Sequence, residues 1–476
     1  MNSAAASHTL LDDMQYQGDP LADAAIARIL GPWAALPPGA DAAEWLAAQA
    51  PQWEQLAAVN RVFERWVDNA SVRDWHADPD LPAPLAEALQ DYLRAACPLP
   101  AWADPTKIAR AESIFMEQGV LSCTLLFCAS LPECYVVPDL AEVLHTTGQL
   151  EQRAEYRIRS TAAMVFPVMM AGGLTDAAGG GVAQVVKVRL IHAMVRHLIL
   201  RGSPQDAMLA LEGQRKVVGA GVVAPLAALG GSQTMLQALF AHGWKLGEDG
   251  LPCNQEELAY TLLTFGYVFL RGMRTLGVGL ARADEEACLH AWNVVGHIVG
   301  VQRELMAQTM EAAAGLFERM QARGRADPMS PDPRPALADA LMRTMEGVIP
   351  LRIAKPFPVL LTRYLCGRTA SHDLGLNQRV SAWSRAVFVF CLALTRAIDT
   401  VLRLVLPRFT IARFITRVVG LRFMSRLLMD QTRPLKLPQQ LLGSVGHMMT
   451  AWNHDPRAPG WLNALEQRMS GRRADA

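Results

Sequence analysis

Residues Lys187 to Arg201, KVRLIHAMVRHLILR, contain no proline and no glycine, and Gly202 and Pro204 follow them. That is how a helix ends. Gly179, Gly180 and Gly181 upstream give the run a flexible start. On a helix, Arg189, His192 and Arg196 fall at i, i+3 and i+7 and share one face, while Leu190, Ile191, Ala193 and Met194 make most of the remaining surface apolar. A helix that is apolar almost all round is buried. This one takes an imidazole and two guanidiniums into the interior, and buried cations require anions. Any fold of this chain must bring carboxylates, or a bound anionic group, to this helix.

Two readings of His192 follow. In one it is a hydrogen-bonded core histidine and the arginines reach the surface. In the other it ligates a metal or haem, with Arg189 and Arg196 holding propionates or orienting the ligand. The run alone does not separate them.

A chain of 476 residues buries a sizeable core, as one large domain or two to three smaller ones. Lys+Arg and Asp+Glu each number 45, so no global charge points to nucleic acid. Ala, Leu and Met are plentiful and β-branched alternation is scarce, which reads as all-α. The eight cysteines form no Cys-x-x-Cys pair, and suit buried free thiols in a reducing compartment better than a zinc site or a disulfide scaffold. Met1 to Pro20 has neither a basic n-region nor an apolar h-region and carries Asp12, Asp13 and Asp19, so a cytoplasmic protein is the expectation.

The chain divides into four stretches. Residues 1–104 make an N-terminal lobe of short helices, Leu21 to Leu30, Ala42 to Ala50, Trp53 to Trp66 and Ala83 to Ala96, with Trp33, Trp45, Trp53, Trp66 and Trp75 as packing residues. Residues 105–320 hold the longer helices. There Arg157 and Thr161, at i and i+4, edge the apolar run Ala162 to Phe166, either as a polar fringe on an apolar pocket or as an exposed helix end. Asn254 starts a helix with Glu257 three residues on, a capping-box-like pattern. His290 and His297 share a face at a spacing of seven, wider than the three or four usual for metal pairs. Residues 321–335, rich in Pro, Arg and Gly, read as a linker or surface loop. Residues 336–476 turn basic, with fifteen Lys/Arg against three Asp between Arg352 and Lys436. Arg396, Arg403, Arg413, Arg417, Arg422 and Arg426 recur among apolar residues there. Such helices either lie on a membrane surface or close over the acidic N-terminal part. The longest uncharged apolar run, Ala386 to Thr395, is about half of what a membrane-spanning helix needs.

Six motifs occur in an order that resembles the latex clearing proteins, rubber oxygenases related to the mpaB-type oxygenases. They are Phe127 to Pro132 with Tyr135; Thr147 to Leu150; Arg157-x-x-x-Thr161; Val188 to Arg196; Pro252-x-Asn254-Gln255-x-Glu257-Leu258-Ala259-x-Thr261; and His290-x-Trp292-x-x-x-Gly296-x-x-x-Gly300. The resemblance covers roughly residues 105–305. It implies an all-α fold with a globin-like core holding one haem b on His192, flanked by additional N- and C-terminal helices. It places distal polar groups on Arg157 and Thr161 and a catalytic carboxylate on Glu142, with Glu151 and Glu155 as competitors. Arg189 and Arg196 would neutralise the propionates. The reaction it implies is O₂-dependent cleavage of the C=C bonds of polyisoprene, or of smaller isoprenoids, to aldehyde and ketone ends. The partners implied are O₂ and such a substrate, with no nucleic acid, the protein being a monomer that touches membrane, if at all, through its basic C-terminal region. Where some family members carry a Lys just before the Thr, this chain has Ser160.

Overall fold

The computed structural model describes residues 10–33, 47–146, 150–214, 222–226, 234–326, 331–349 and 351–405. The fold is all-α. Among the described residues, strand is confined to an antiparallel pair of two-residue pieces, β1 (Val222–Val223) and β2 (Trp244–Lys245).

The N-terminal part supplies α1 (Pro20–Leu30), α2 (Ala50–Phe63) and α3 (Ala83–Ala96). Then follow α4 (Pro105–Gln118), α5 (Pro138–Thr146), α6 (Leu150–Met169), α7 (Gly181–Leu200), α8 (Met235–Ala241), α9 (Gln255–Leu263), α10 (Arg282–Val299) and α11 (Met310–Ala326), of which α6, α7, α10 and α11 are the long ones. The last three are α12 (Arg334–Val348), α13 (Phe357–Asp373) and α14 (Ala382–Val405). Two stretches, Leu126–Ser130 and Thr264–Val268, are wound as π-helix and pack on each other. Cys134 Sγ and Thr264 Oγ1 meet beside them at 2.9 Å. Single π-turns of this kind widen a helix locally and recur at functional sites.

The helix that constrained the sequence is the centre of the fold. α7 packs on α1, α6, α8 and α10, and Arg196 and His197 on it are buried. Its start is not flexible. Asn69 Oδ1 accepts from the amides of Val182 and Ala183 at 2.9 and 3.3 Å, and Asn69 Nδ2 donates to Gly173 O at 2.9 Å. A Cβ on Gly179 would meet the Gly172 carbonyl oxygen at 2.2 Å. The glycines are there for close backbone packing. At the other end the left-handed residue is Arg201, φ 53°, one residue before the expected Gly202. Its Nε donates to Phe240 O at 2.8 Å and its Nη2 to Ala224 O at 2.9 Å, which holds this conformation in a non-glycine residue.

The N-terminal helices share one apolar core with the rest, from Leu11 through Leu376. Trp53 packs edge-on against both Trp33 and Phe240 of α8, Trp33 lies tilted on Phe240, and Trp66 is fully buried against Phe63 and Trp75. Trp45 lies outside the described residues. The loop expected over residues 321–335 is shorter. α11 runs on to Ala326, where Gly324 fits against Val137, and α12 begins at Arg334 with proline in its first turn, a position where the missing N–H costs nothing. No single helix among the described residues is long and apolar enough to cross a membrane.

Candidate functional site

A cavity of about 380 Å³ opens beside α7. Three helices turn regular stripes toward it: Val185, Val188, His192 and Val195 on α7; Leu258, Thr261 and Leu262 on α9; Trp292, Val295 and Val299 on α10. Steps of three, four and seven place each set on one helix face. Ser160, Thr161 and Met164 of α6 and Met235 and Leu239 of α8 close the sides. The lining is mostly hydrocarbon. Among the described residues Glu257 is its one carboxylate, and no Lys or Arg belongs to it.

His192 faces this space with a nitrogen to spare. Its Nδ1 is buried and has no hydrogen-bond partner among the described residues. Burial, aided by the Arg196 charge, pushes its pKa down to about 4. The ring is therefore neutral at pH 7 and has a lone pair to offer.

The anions that α7 requires come from α1. Arg189 binds Asp19 through both carboxylate oxygens, Nε–Oδ2 2.5 Å and Nη2–Oδ1 2.7 Å. Arg196 binds Asp23, Nε–Oδ1 2.9 Å, and the Cys253 carbonyl oxygen, Nη1–O 2.6 Å. The two arginines expected to meet propionates are thus bonded within the protein. Neither lines the cavity, and aspartates already match them. Lys187, one turn before Ile191 of the lining, is itself outside it, and burial lowers its pKa to about 8.

Of the other expected site residues, Thr161 is at the cavity, and Ser160 lines it beside Thr161. Arg157 is on α6 one turn before Thr161, and its side chain, like those of Glu151 and Glu155, lies outside the described residues. So do Thr147 to Gln149. Glu142 is not on the lining. Leu140 and Val143 of α5 are, and Glu142 turns instead to His242, whose Nε2 is 3.2 Å from its Oε1. His290 and His297 both pack edge-on against Trp102, and His290 Nε2 accepts from the Asp104 amide at 2.8 Å. Among the described residues no group of three or more His, Cys, Asp or Glu could hold a metal ion. What the cavity offers is one neutral imidazole, a donor set that suits a metal already held by a macrocycle, as in haem.

With that geometry in view, the chain was compared with known proteins. Residues 115–398, more than half of its length, match the family model described as the ER-bound oxygenase mpaB/B'/rubber oxygenase catalytic domain. The chain belongs to this family. A family relative, the rubber oxygenase of Streptomyces sp. (strain K30), is 25% identical over 335 residues, which span 68% of this chain and 67% of the relative. The fold is similar to that of latex clearing protein in its closed state, with a TM-score of 0.53 at 18% identity over 92% of this chain and 90% of that one. All four helices that frame the cavity most closely, α6, α7, α9 and α10, fall inside the stretch matched by the oxygenase family model.

Two groups were given no site role by the sequence. Glu257 read as a capping residue within a family motif, and Asn254 Oδ1 does accept from its amide at 3.0 Å. Its spacing was the available signal: Glu257, Thr261 and Phe265, at i, i+4 and i+8, all line the cavity. Glu133, fully buried, is ion-paired with Arg271 and accepts from Gln321 Nε2 at 2.7 Å, while Tyr260 Oη donates to the Glu133 carbonyl at 2.7 Å. This network ties α9 and α11 together behind the cavity, and nothing local in the sequence marks it.

Proposed function

We propose that this chain is a haem b-dependent dioxygenase that cleaves the C=C bonds of isoprenoid hydrocarbons, polyisoprene among them, with O₂. Each carbon of the double bond takes one atom of O₂, so C=C and O–O bonds break, two C=O bonds form, and an aldehyde and a ketone end result with no further reductant. The observation that carries this reading is His192: a neutral imidazole whose buried Nδ1 has no partner among the described residues, facing an apolar cavity, in a chain of the rubber oxygenase family.

The residues fit the group. His192 would ligate the iron, and the valines of α7 and the aliphatic faces of α9 and α10 would enclose the ring. The haem would supply the O₂-binding iron that a closed-shell alkene requires. The chain's own residues bind the hydrocarbon, exclude water and present Ser160 and Thr161 as hydrogen-bonding groups at the cavity wall. An absorption spectrum of the purified protein beside its His192→Ala variant tests the cofactor. A Soret band present in the first and absent from the second is expected; no band after haem is supplied would overturn the reading. Oxygen uptake with a polyisoprene emulsion, with carbonyl products, separates an enzyme from a haem-binding protein that does not turn over.

A second reading concerns where the substrate is met. α14 exposes Trp383, Val389, Phe390 and Leu394, with Arg379 and Arg385 nearby, the pattern of a helix lying on an anionic lipid surface. It favours an mpaB-like enzyme acting on a prenylated substrate at a membrane. Flotation with vesicles containing phosphatidylserine tests it, and protein left at the bottom of the gradient in low salt argues against it.

A further inference from the structure

A second cavity, of about 270 Å³, lies on the outer side of α9. Its character is opposite to that of the first: Gln15, Glu248, Asn254, Glu256 and Arg323 are on its wall. One described residue belongs to both linings, and that residue is Glu257. It is almost fully buried. A carboxylate is an expensive group to place at the edge of a hydrocarbon cavity, yet this one is fixed there twice. Its amide donates to Asn254 Oδ1 at 3.0 Å, and its Oε1 accepts from Asn254 Nδ2 at 3.2 Å. The turn before it is held in turn: Cys253 sits at φ 52°, a conformation disfavoured without glycine, and Arg196 binds its carbonyl oxygen.

We infer that Glu257 is the proton port of the reaction cavity, taking a proton from a donor on the apolar side and passing it to the polar outer cavity, or the reverse. An O–H bond forms on the carboxylate as the O–H bond of a water or hydroxyl in the apolar cavity breaks, and the new O–H breaks as water or Glu256 accepts the proton. The cleavage has no net proton, so the proton returns by the same route in each turnover. No redox partner is needed. The titratable and charged groups around it are Glu256 and Tyr260 on its own helix, Cys253 before it, Arg196 behind that turn, His192 and Cys134 on the apolar cavity, and Glu248 and Arg323 in the outer one. Arg323 Nε holds Glu256 at 3.1 and 3.3 Å from its two oxygens, and burial brings the Glu256 pKa up to about 7, where it exchanges protons readily in neutral solution.

This inference rests on the oxygenase reading for its purpose, and the experiment separates the two. Wild type, Glu257→Gln and Glu257→Asp, all full chain and supplied with haem, are compared in two measurements. Infrared spectra taken across pH without substrate follow the carboxyl band that Glu257→Gln removes. The expected result is a band that titrates with bulk pH; a band indifferent to pH from 5 to 9 overturns the port. Turnover with a polyisoprene emulsion is the second measurement. Glu257→Gln is expected to keep the Soret band and KM, to lose kcat on the order of 100-fold, and to lose one limb of the pH profile, with partial rescue in Glu257→Asp. Wild-type kcat with an unchanged pH profile in Glu257→Gln overturns the port. If wild type itself cleaves nothing, the oxygenase reading falls, and the infrared titration still decides whether Glu257 communicates with solvent. Should Glu257→Gln fail to fold, Glu256→Gln serves: a displaced pH profile supports the port and an unchanged one counts against it.

Discussion

Arg189 grips Asp19 in a two-pronged ion pair, Nε–Oδ2 2.5 Å and Nη2–Oδ1 2.7 Å, and one helical turn and three residues further along α7, Arg196 repeats the contact with Asp23. These pairs fasten α1 to the helix that carries His192. Arg196 is entirely enclosed. Removing one partner of a buried pair is far worse than removing both. Asp23→Ala is expected to lower stability by about 3–5 kcal/mol, while Asp23→Leu with Arg196→Met recovers most of the loss. Urea unfolding measures both; a single-variant loss below about 1 kcal/mol would mean the pair is not what holds α1 in place.

The sequence showed that α7 is buried and that its arginines need anions, because periodicity and charge are local properties. It did not show which anions, because Asp19 and Asp23 are far from Arg189 and Arg196 in the chain and no local pattern pairs them. The same limit hid Glu133, whose partners Arg271 and Gln321 lie on separate helices. Thr161 and His192 were legible as candidates since each sits in an ordered motif, and they do meet at one cavity. Glu142 was chosen from its place upstream of Arg157. Spacing along α5 decides its direction instead: Leu140 and Val143 take the cavity side, and the residue between them faces His242.

Ser160 gives a direct test of the proposed haem geometry. A lysine at this position would put a primary amine at the cavity wall in place of a hydroxyl. Ser160→Lys is expected to convert the haem spectrum toward a six-coordinate form and to slow O₂ uptake about tenfold or more, with the protein otherwise folded. An unchanged spectrum in the variant would place the iron away from α6.

Two histidines of α7 make the chain sensitive to acid. Burial first, then the Arg196 charge, holds His192 and His197 down to about 4, below the ordinary value of 6.5. The unfolded chain therefore takes up protons between pH 6.5 and 4 that the folded chain refuses, so their contribution to stability falls as pH falls through that window and does not change further below it. Buried acids act in the opposite sense; Glu256, raised to about 7 by burial, gains as pH falls. The difference between wild type and His197→Gln isolates the imidazole. The melting temperature of His197→Gln without haem should decline less between pH 7 and 4.5 than that of wild type, and parallel curves would show that His197 is protonated in the folded state.

The cavity itself can be filled. Val188 stands in the middle of the α7 stripe, flanked by Val185, Ile191 and His192, and a larger side chain there grows into open space. Overpacking a closed core costs about 1–3 kcal/mol; where the space is empty, the added ring should instead be close to neutral. Val188→Phe is expected to leave the melting temperature within a degree or two of wild type, and to weaken binding of an apolar fluorescent probe about tenfold. If the hydrocarbon chain threads this cavity, short isoprenoids will lose less kcat/KM in the variant than polyisoprene does, because a short substrate can sit to one side of the new ring. A large fall in melting temperature would show that the space closes in solution, and equal losses for short and long substrates would put the chain's path elsewhere.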